Sequence, residues 1–160
     1  MLRYATRSYF LCIMMLYAMP CIGQIDSTFI KGELVLEDGF YGADKHSFKN
    51  PMFFASENDS DYYFLNQEKH IGFEAFSHTE YEYRENENFH ILHIFFKKEN
   101  YDLWREFTRQ LIDKHVVLIV KNKAIEVRGV MGEIPNGRSV VGGPSWTKLE
   151  LIRLQKAIDK

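Results

Sequence analysis

Residues 78–96 constrain the fold more than any other stretch, because they read as a pair of β-strands and as nothing else. Thr79, Tyr81 and Tyr83 alternate with His78, Glu80 and Glu82, the period of two that turns successive side chains to opposite faces of a half-buried strand. Arg84 to Asn88 is polar and suits a turn. Phe89 to Phe96 is then apolar at nearly every position, as expected of a central strand covered on both faces. Beyond Phe96 the period changes. Leu103, Trp104, Phe107 and Leu111 recur at helical spacing behind Asn100, which is placed to cap, and Asp102, which suits the positive end. Val116 to Val120 is β-branched and leads through Lys121-Asn122-Lys123, a tight-turn signal, into Ala124 to Val127 as its hairpin partner. Thr147 and Glu150 have the spacing of a capping box before the stripe Leu151, Leu154 and Ile158, with Lys156 and Lys160 at the negative end. Hairpins interleaved with two main helices predict an α+β fold, with both helices packed on one face of a mostly antiparallel sheet in a ferredoxin-like-related layer.

The N-terminal third is less regular. Phe29 to Leu36 is a strand candidate interrupted by Gly32, and Asp38-Gly39 is a turn signal ahead of Phe40-Tyr41. Tyr41 to Asn50 is polar and turn-rich, Met52 to Ala55 is a short strand candidate, Ser56 to Ser60 reads as a loop, and Tyr62 to Leu65 is aromatic enough for a strand. Residues 24–60 are therefore expected to be an extension of short strands and loops before a main domain at 61–160. The whole chain has 160 residues, 46% of them hydrophobic and 24 aromatic, which fits one domain with its own core.

The first 23 residues form a separate unit. Arg3 and Arg7 precede an apolar run from Tyr9 to Ile22, and no acidic residue occurs before Asp26. That 14-residue run falls short of the roughly 20 needed to span a bilayer and has the form of a secretory signal peptide cut after Gly23. Cleavage there removes Cys12 and Cys21 and leaves 137 residues with 18 basic against 22 acidic side chains. A disulfide scaffold is excluded on that reading. The alternative is a bacterial lipoprotein signal at Ala18-Met19-Pro20-Cys21, although such signals usually have Leu and a small residue where Ala18 and Pro20 stand. Membrane attachment is expected only if Cys21 is lipidated. After the leader the longest apolar run is Val116 to Val120, so the mature chain is expected to be exported to the periplasm or cell envelope and soluble.

Little in the sequence points to chemistry. A net charge of −2 without clustered Lys and Arg gives no reason to expect a nucleic-acid partner. His90 and His93 lie three apart, and on a strand such residues face opposite ways, so they do not converge on a metal. Glu80, Glu82, Glu85 and Glu87 make an acidic patch that reads first as a solvated face and second as a weak cation site. Ser139, Ser145 and Thr147 lack the Gly-x-Ser-x-Gly elbow, and Gly137, Gly142 and Gly143 lack the Gly-Lys-Ser/Thr ending of a phosphate loop. Asn136-Gly137 reads as a hairpin signal and Gly142-Gly143-Pro144 as a bend into the last helix. The sequence therefore assigns no catalytic, cofactor-binding or metal-binding residue and implies no cofactor. A hydrolase with an unorthodox site around Ser139 or His115 is the third-ranked reading.

The C-terminal half carries a resemblance. The order Phe107-Thr108, Val116-Val-Leu-Ile-Val120, Lys123, Ile134-x-x-Gly137, Val141-x-Gly143, Thr147-x-x-Glu150 and Leu154 resembles the first periplasmic (head) domain of the SecD/SecDF protein-export family. Gly39-Phe40-Tyr41 and Tyr62 to Leu65 are similar to small secreted proteins that carry this module alone. The resemblance covers about 60–158, chiefly 88–158. It departs at Lys114-His115, where the family often has Gly-Lys, and at Arg128-Gly129, where it often has a Pro. Its motifs are turns and caps, which speak for fold more than activity, and the transmembrane helices that do the family's proton-coupled work have no counterpart in this sequence. The resemblance implies that 61–160 is a SecD-like head domain in a non-enzymatic envelope protein, with protein or unfolded polypeptide as its partner. A periplasmic binder of a small ligand or cation is the alternative.

Overall fold

The computed structural model describes residues 35–45, 53–55 and 62–160. Among the described residues eight strands and two α-helices follow one another as β1 (Gly39–Asp44), β2 (Phe53–Ala55), β3 (Tyr62–Gly72), β4 (Phe76–Arg84), β5 (Phe89–Phe96), α1 (Tyr101–Arg109), β6 (His115–Val120), β7 (Lys123–Gly129), β8 (Arg138–Gly143) and α2 (Lys148–Ile158). The strands form two sheets, one ordered β2-β3-β1-β6-β7 and the other β4-β5-β8, and every ladder among the described residues is antiparallel. The α+β class is as expected, with the strands divided between two sheets instead of lying in one. The leader, with Cys12 and Cys21, and the loop candidate Ser56 to Ser60 lie outside the described residues, as does all of the strand candidate Phe29 to Leu36 except Val35 and Leu36, which are not in a strand.

The two hairpins form where the sequence places them. Thr79 to Arg84 pairs with Phe89 to Ile94 in unbroken register, and β5 lies between β4 and β8. Lys121 and Asn122 take φ of 51° and 59°, the left-handed pair that a two-residue hairpin turn requires, and they deliver β7 back onto β6.

The segment Tyr41 to Asn50, expected to be turn-rich, is instead a strand as far as Asp44, and 46–50 lie outside the described residues. β1 runs between β3 and β6, pairs with both, and buries every residue but Asp44. This strand is hard to read because Gly42 and Ala43 occupy its middle. Their small size is what the position requires, since a Cβ on Gly42 would stand 2.8 Å from the Leu111 side chain. The extension at 24–60 thus contributes a strand to the interior of the five-stranded sheet.

Asn136-Gly137 makes a turn but no hairpin. The chain leaves β7, passes below α1 and enters β8, which pairs with β5. Gly137 has φ 58°, its carbonyl accepts the Phe96 amide at 2.8 Å, and the Tyr101 ring fills the place a side chain would need. Gly142 and Gly143 lie within β8, and the bend into α2 comes after them at Pro144-Ser145.

The helices bury one stripe each. On α1 the stripe is Trp104, Phe107 and Thr108, continued by Leu111, while Leu103, expected on it, is 49% exposed. The i, i+3, i+4, i+7 set starting at Trp104 is what one helix face can hold, and it turns Leu103 outward. Asn100 takes the N-cap position without capping: its φ and ψ are −103° and 5°, and its side-chain amide donates to the Ala75 carbonyl at 3.2 Å. A short 3-10 turn at Lys98–Asn100 leads straight into α1, so the extended cap conformation that would aim the side chain at the first helical amides is lost. α2 has the full capping box, with Glu150 N–H on Thr147 Oγ1 at 3.3 Å and Thr147 N–H on Glu150 Oε2 at 2.8 Å. Its Leu151, Leu154 and Ile158 are buried.

The main core lies where the helices meet both sheets. Phe40, Phe96 and Phe107 surround Trp104 with ring centroids 5.1, 4.5 and 5.7 Å away, and Trp104 is fully buried. Thr108 closes the helix against the β7–β8 connection by accepting the Ile134 amide at 2.9 Å and donating to the Trp104 carbonyl at 3.0 Å. A second apolar cluster, including Tyr41, Leu65, Val117 and Ile119, occupies the opposite face of the five-stranded sheet.

Candidate binding surface

The β4–β5–β8 sheet brings together most of the polar residues that the sequence singles out, and strand alternation decides which meet. Leu92, Ile94 and Phe96 face the helices. His93 and Phe95, one residue out of step, face the other way. His93 is buried to 4% side-chain exposure, and its Nε2 lies 2.5 Å from Glu82 Oε2 of β4. From β8, Arg138 Nη2 lies 2.6 Å from Nδ1 and 2.9 Å from Nε2 of the same ring, while its guanidinium carbon stands 5.5 Å above the Phe95 ring. A guanidinium has only donors, so Nδ1 offers it a lone pair and Nε2 carries the proton toward Glu82. That bond, with the positive groups around it, holds the Glu82 carboxyl below the usual carboxylate range. One buried imidazole thus ties all three strands together.

His90 is on the helix-side face with Tyr81 and Tyr83. Its Nδ1 meets the Tyr81 hydroxyl at 2.6 Å, and the Tyr83 ring lies 4.8 Å from the imidazole. The two histidines therefore belong to different clusters on opposite faces, and no set of three potential ligands gathers around either among the described residues. Of the four glutamates, Glu80 and Glu82 share the outer face of β4, with Glu80 3.3 Å from His78 and Glu82 3.5 Å from Arg84. Glu85 and Glu87 are exposed in the hairpin turn, where Glu87 reaches Arg84 at 3.4 Å.

The serines and His115 are not brought together. Ser139 is opposite Ile94 on β8, Ser145 is in the turn before α2, Thr147 is used as a helix cap, and His115 begins β6 in the other sheet, edge-on to Tyr63. Among the described residues the serine that does meet a histidine is Ser77, 3.1 Å from His78 Nδ1, whose Nε2 faces Glu80. All three groups are exposed to water. Ser77 and His78 border a hollow of ≈ 460 Å³ lined by Phe73, Phe76, Lys97 and Asp159 among others.

Two further residues stand out only in three dimensions. Glu126 and Arg128 project from one face of β7 and grip the backbone of β8: Gly142 N–H donates to Glu126 Oε2 at 3.2 Å, and Arg128 Nη2 donates to the Gly142 carbonyl at 2.7 Å. They also pair with each other, Arg128 Nε to Glu126 Oε1 at 2.6 Å. Burial pushes the Glu126 carboxyl up, more than Arg128 and the Gly142 amide bring it down. The i, i+2 spacing of opposite charges on a strand is the sequence signal that could have found this pair; its target, a backbone 14 residues on, had none.

Among the described residues, no helix is long and apolar enough to cross a membrane. No known family profile and no curated protein matches the chain. Among the solved structures similar to it are two of SecDF. One is a crystal structure of SecDF in its super-membrane-facing form, with a TM-score of 0.50 and 16% identity over 55% of this chain and 12% of that one. The other is SecDF described as a membrane component that enhances protein export, with a TM-score of 0.53 and 13% identity over 76% of this chain and 62% of that one. The chain thus spans less than two thirds of either SecDF chain, and at such identities the likeness is one of fold. The resemblance that begins in turns and caps of the sequence extends to the three-dimensional arrangement: this chain folds as a SecD-like domain.

Proposed function

We propose that this protein is an exported, non-catalytic component of the cell envelope whose SecD-like domain binds polypeptide, in a setting linked to protein export. The observation that carries this reading is the fold likeness to SecDF, one of whose structures is described as enhancing protein export. The physical route is backbone recognition. An antiparallel sheet with an accessible edge can take up an extended chain through main-chain hydrogen bonds, largely independent of sequence, and aromatics beside the edge can seat its side chains. The leader of basic residues and an apolar run supports delivery to the envelope.

The test is in-cell cross-linking of the tagged full chain in its native host, with mass spectrometry of what is captured. Translocon components or emerging secretory chains are the expected catch. Enrichment of a single unrelated envelope protein, or of nothing above background, overturns the link to export.

A further inference from the structure

The two outer edges of the β4–β5–β8 sheet differ in what borders them. On β8 the Phe96 amide bonds the Gly137 carbonyl, and antiparallel alternation from that rung turns the N–H and C=O of Arg138, Val140 and Gly142 away from β5. Of these, Gly142 is already occupied, because Glu126 and Arg128 of β7 supply the acceptor and donor that a neighbouring strand would supply; the backbone groups of Arg138 and Val140 have no such partner among the described residues, and Arg138 sets a positive charge on that edge. On β4 the turn amides of Glu87 and Asn88 bond the Arg84 carbonyl, which fixes Arg84 as facing β5. Alternation then turns Thr79, Tyr81 and Tyr83 outward. The Thr79 carbonyl accepts a bond from the Gln155 side chain of α2 at 3.1 Å, which independently confirms the register. For the N–H and C=O of Tyr81 and Tyr83 there is no partner among the described residues.

We infer that the β4 edge at Tyr81 and Tyr83 is the docking site for an extended, basic segment of polypeptide, which adds to the sheet as a fourth strand. This deepens the polypeptide-binding reading and rests on it. Three observations select the occupant. The free groups are alternate backbone donors and acceptors, which match another backbone in extended form. The rings of Tyr81 and Tyr83 stand beside them, Tyr83 with 43% of its surface exposed. Finally, the strand and its turn carry Glu80, Glu82, Glu85 and Glu87 against Arg84 as the one Lys or Arg in 80–87, and Lys148 of α2, with its Nζ 5.7 Å over the Tyr81 ring, leaves the balance of charge acidic. Glu80 and Glu82 keep 61% and 45% of their side-chain surface open, so a Lys- or Arg-bearing segment is attracted and an acidic one repelled.

The experiment measures binding of a fluorescent ten-residue peptide of alternating Lys and Val to the full-length protein by anisotropy, with the Glu–Val counterpart as control. Proline is tolerated on an edge strand where its missing N–H faces solvent, so Tyr83→Pro removes one outward donor and Tyr83→Thr keeps it. Loss of about one net hydrogen bond weakens binding on the order of tenfold in Tyr83→Pro, well beyond the effect of Tyr83→Thr. A peptide N-methylated on alternate residues tests the same bonds without altering the protein, and one of its two registers should lose binding. Equal affinities for the Pro and Thr variants, together with no loss in either N-methylated register, overturn the β4 edge while leaving polypeptide binding standing. Equal affinity for the Lys and Glu peptides overturns the charge preference. No binding of either peptide by the unmodified protein overturns the site and the polypeptide-binding reading together.

Discussion

The two faces of β5 differ as sharply as adjacent residues can. Leu92, Ile94 and Phe96 face a dry aromatic core under the helices, whereas His93, on the reverse side and just as inaccessible, is held between a carboxylate and a guanidinium. The apolar face gains from every methylene it removes from water and is indifferent to direction. The polar face gains little in net energy from each bond but loses a good deal if one partner is missing. The first kind of packing gives the sheet its stability. The second fixes which strand lies beside which, because only one register places Glu82, His93 and Arg138 within reach of each other.

Removing an anchor from the dry side should do the most damage. Trp104→Ala is expected to cost about 3–5 kcal/mol, read as a lowered denaturant midpoint; an unchanged midpoint would show that the ring is not a core anchor. On the polar side, Arg138→Met leaves His93 Nδ1 buried without a donor, at a cost of about 1–3 kcal/mol. The comparison is sharpened by adding His93→Phe: because both partners are then apolar, the double variant should recover part of the loss. A double variant that is weaker than either single one would mean that the outer face depends on something other than this tie.

How much of this could be read from the sequence obeys the same divide. Elements whose identity is local were legible: the 78–96 hairpin from its alternation, the α2 start from Thr147 and Glu150, the Lys121-Asn122 turn from its flanking strands. β1 was not, because Gly42 and Ala43 weaken its pattern and its burial comes from β3 and β6, both distant in sequence. Asn100 was misread because its side chain serves a carbonyl 25 residues away. The surface was legible only in its charges. Glu80 and Glu82 could be placed on one face of a strand, but neither the His93–Arg138 contact, 45 residues apart, nor the difference between the β4 and β8 edges has a local signature.

The lid over the apolar face can be loosened more gently. Thr147→Ala removes the acceptor for Glu150 N–H at the start of α2 and should cost about 1 kcal/mol, whereas Thr147→Ser should cost much less; equal losses would assign the effect to packing and not to the cap.

The smallest effect expected is one of slope, and it sets two glutamates against each other. Glu82, on the outer face, has its folded-state carboxyl held low chiefly by His93, so the folded protein binds fewer protons there than the unfolded chain. Its contribution is complete above the unfolded value and is lost as pH falls through the lower folded one. Glu126, buried at the β8 edge, is raised above the reference value of 4.5 by its loss of hydration. There the folded state holds the proton longer, so this group lowers stability as pH rises from that reference value through the folded one. Glu126→Gln should therefore flatten the decline in melting temperature on the alkaline side of 4.5, and Glu82→Gln should flatten the decline on its acidic side. Identical changes in slope for the two variants would mean that the carboxylates share one environment, and the contrast between the buried latch and the outer tie would not hold.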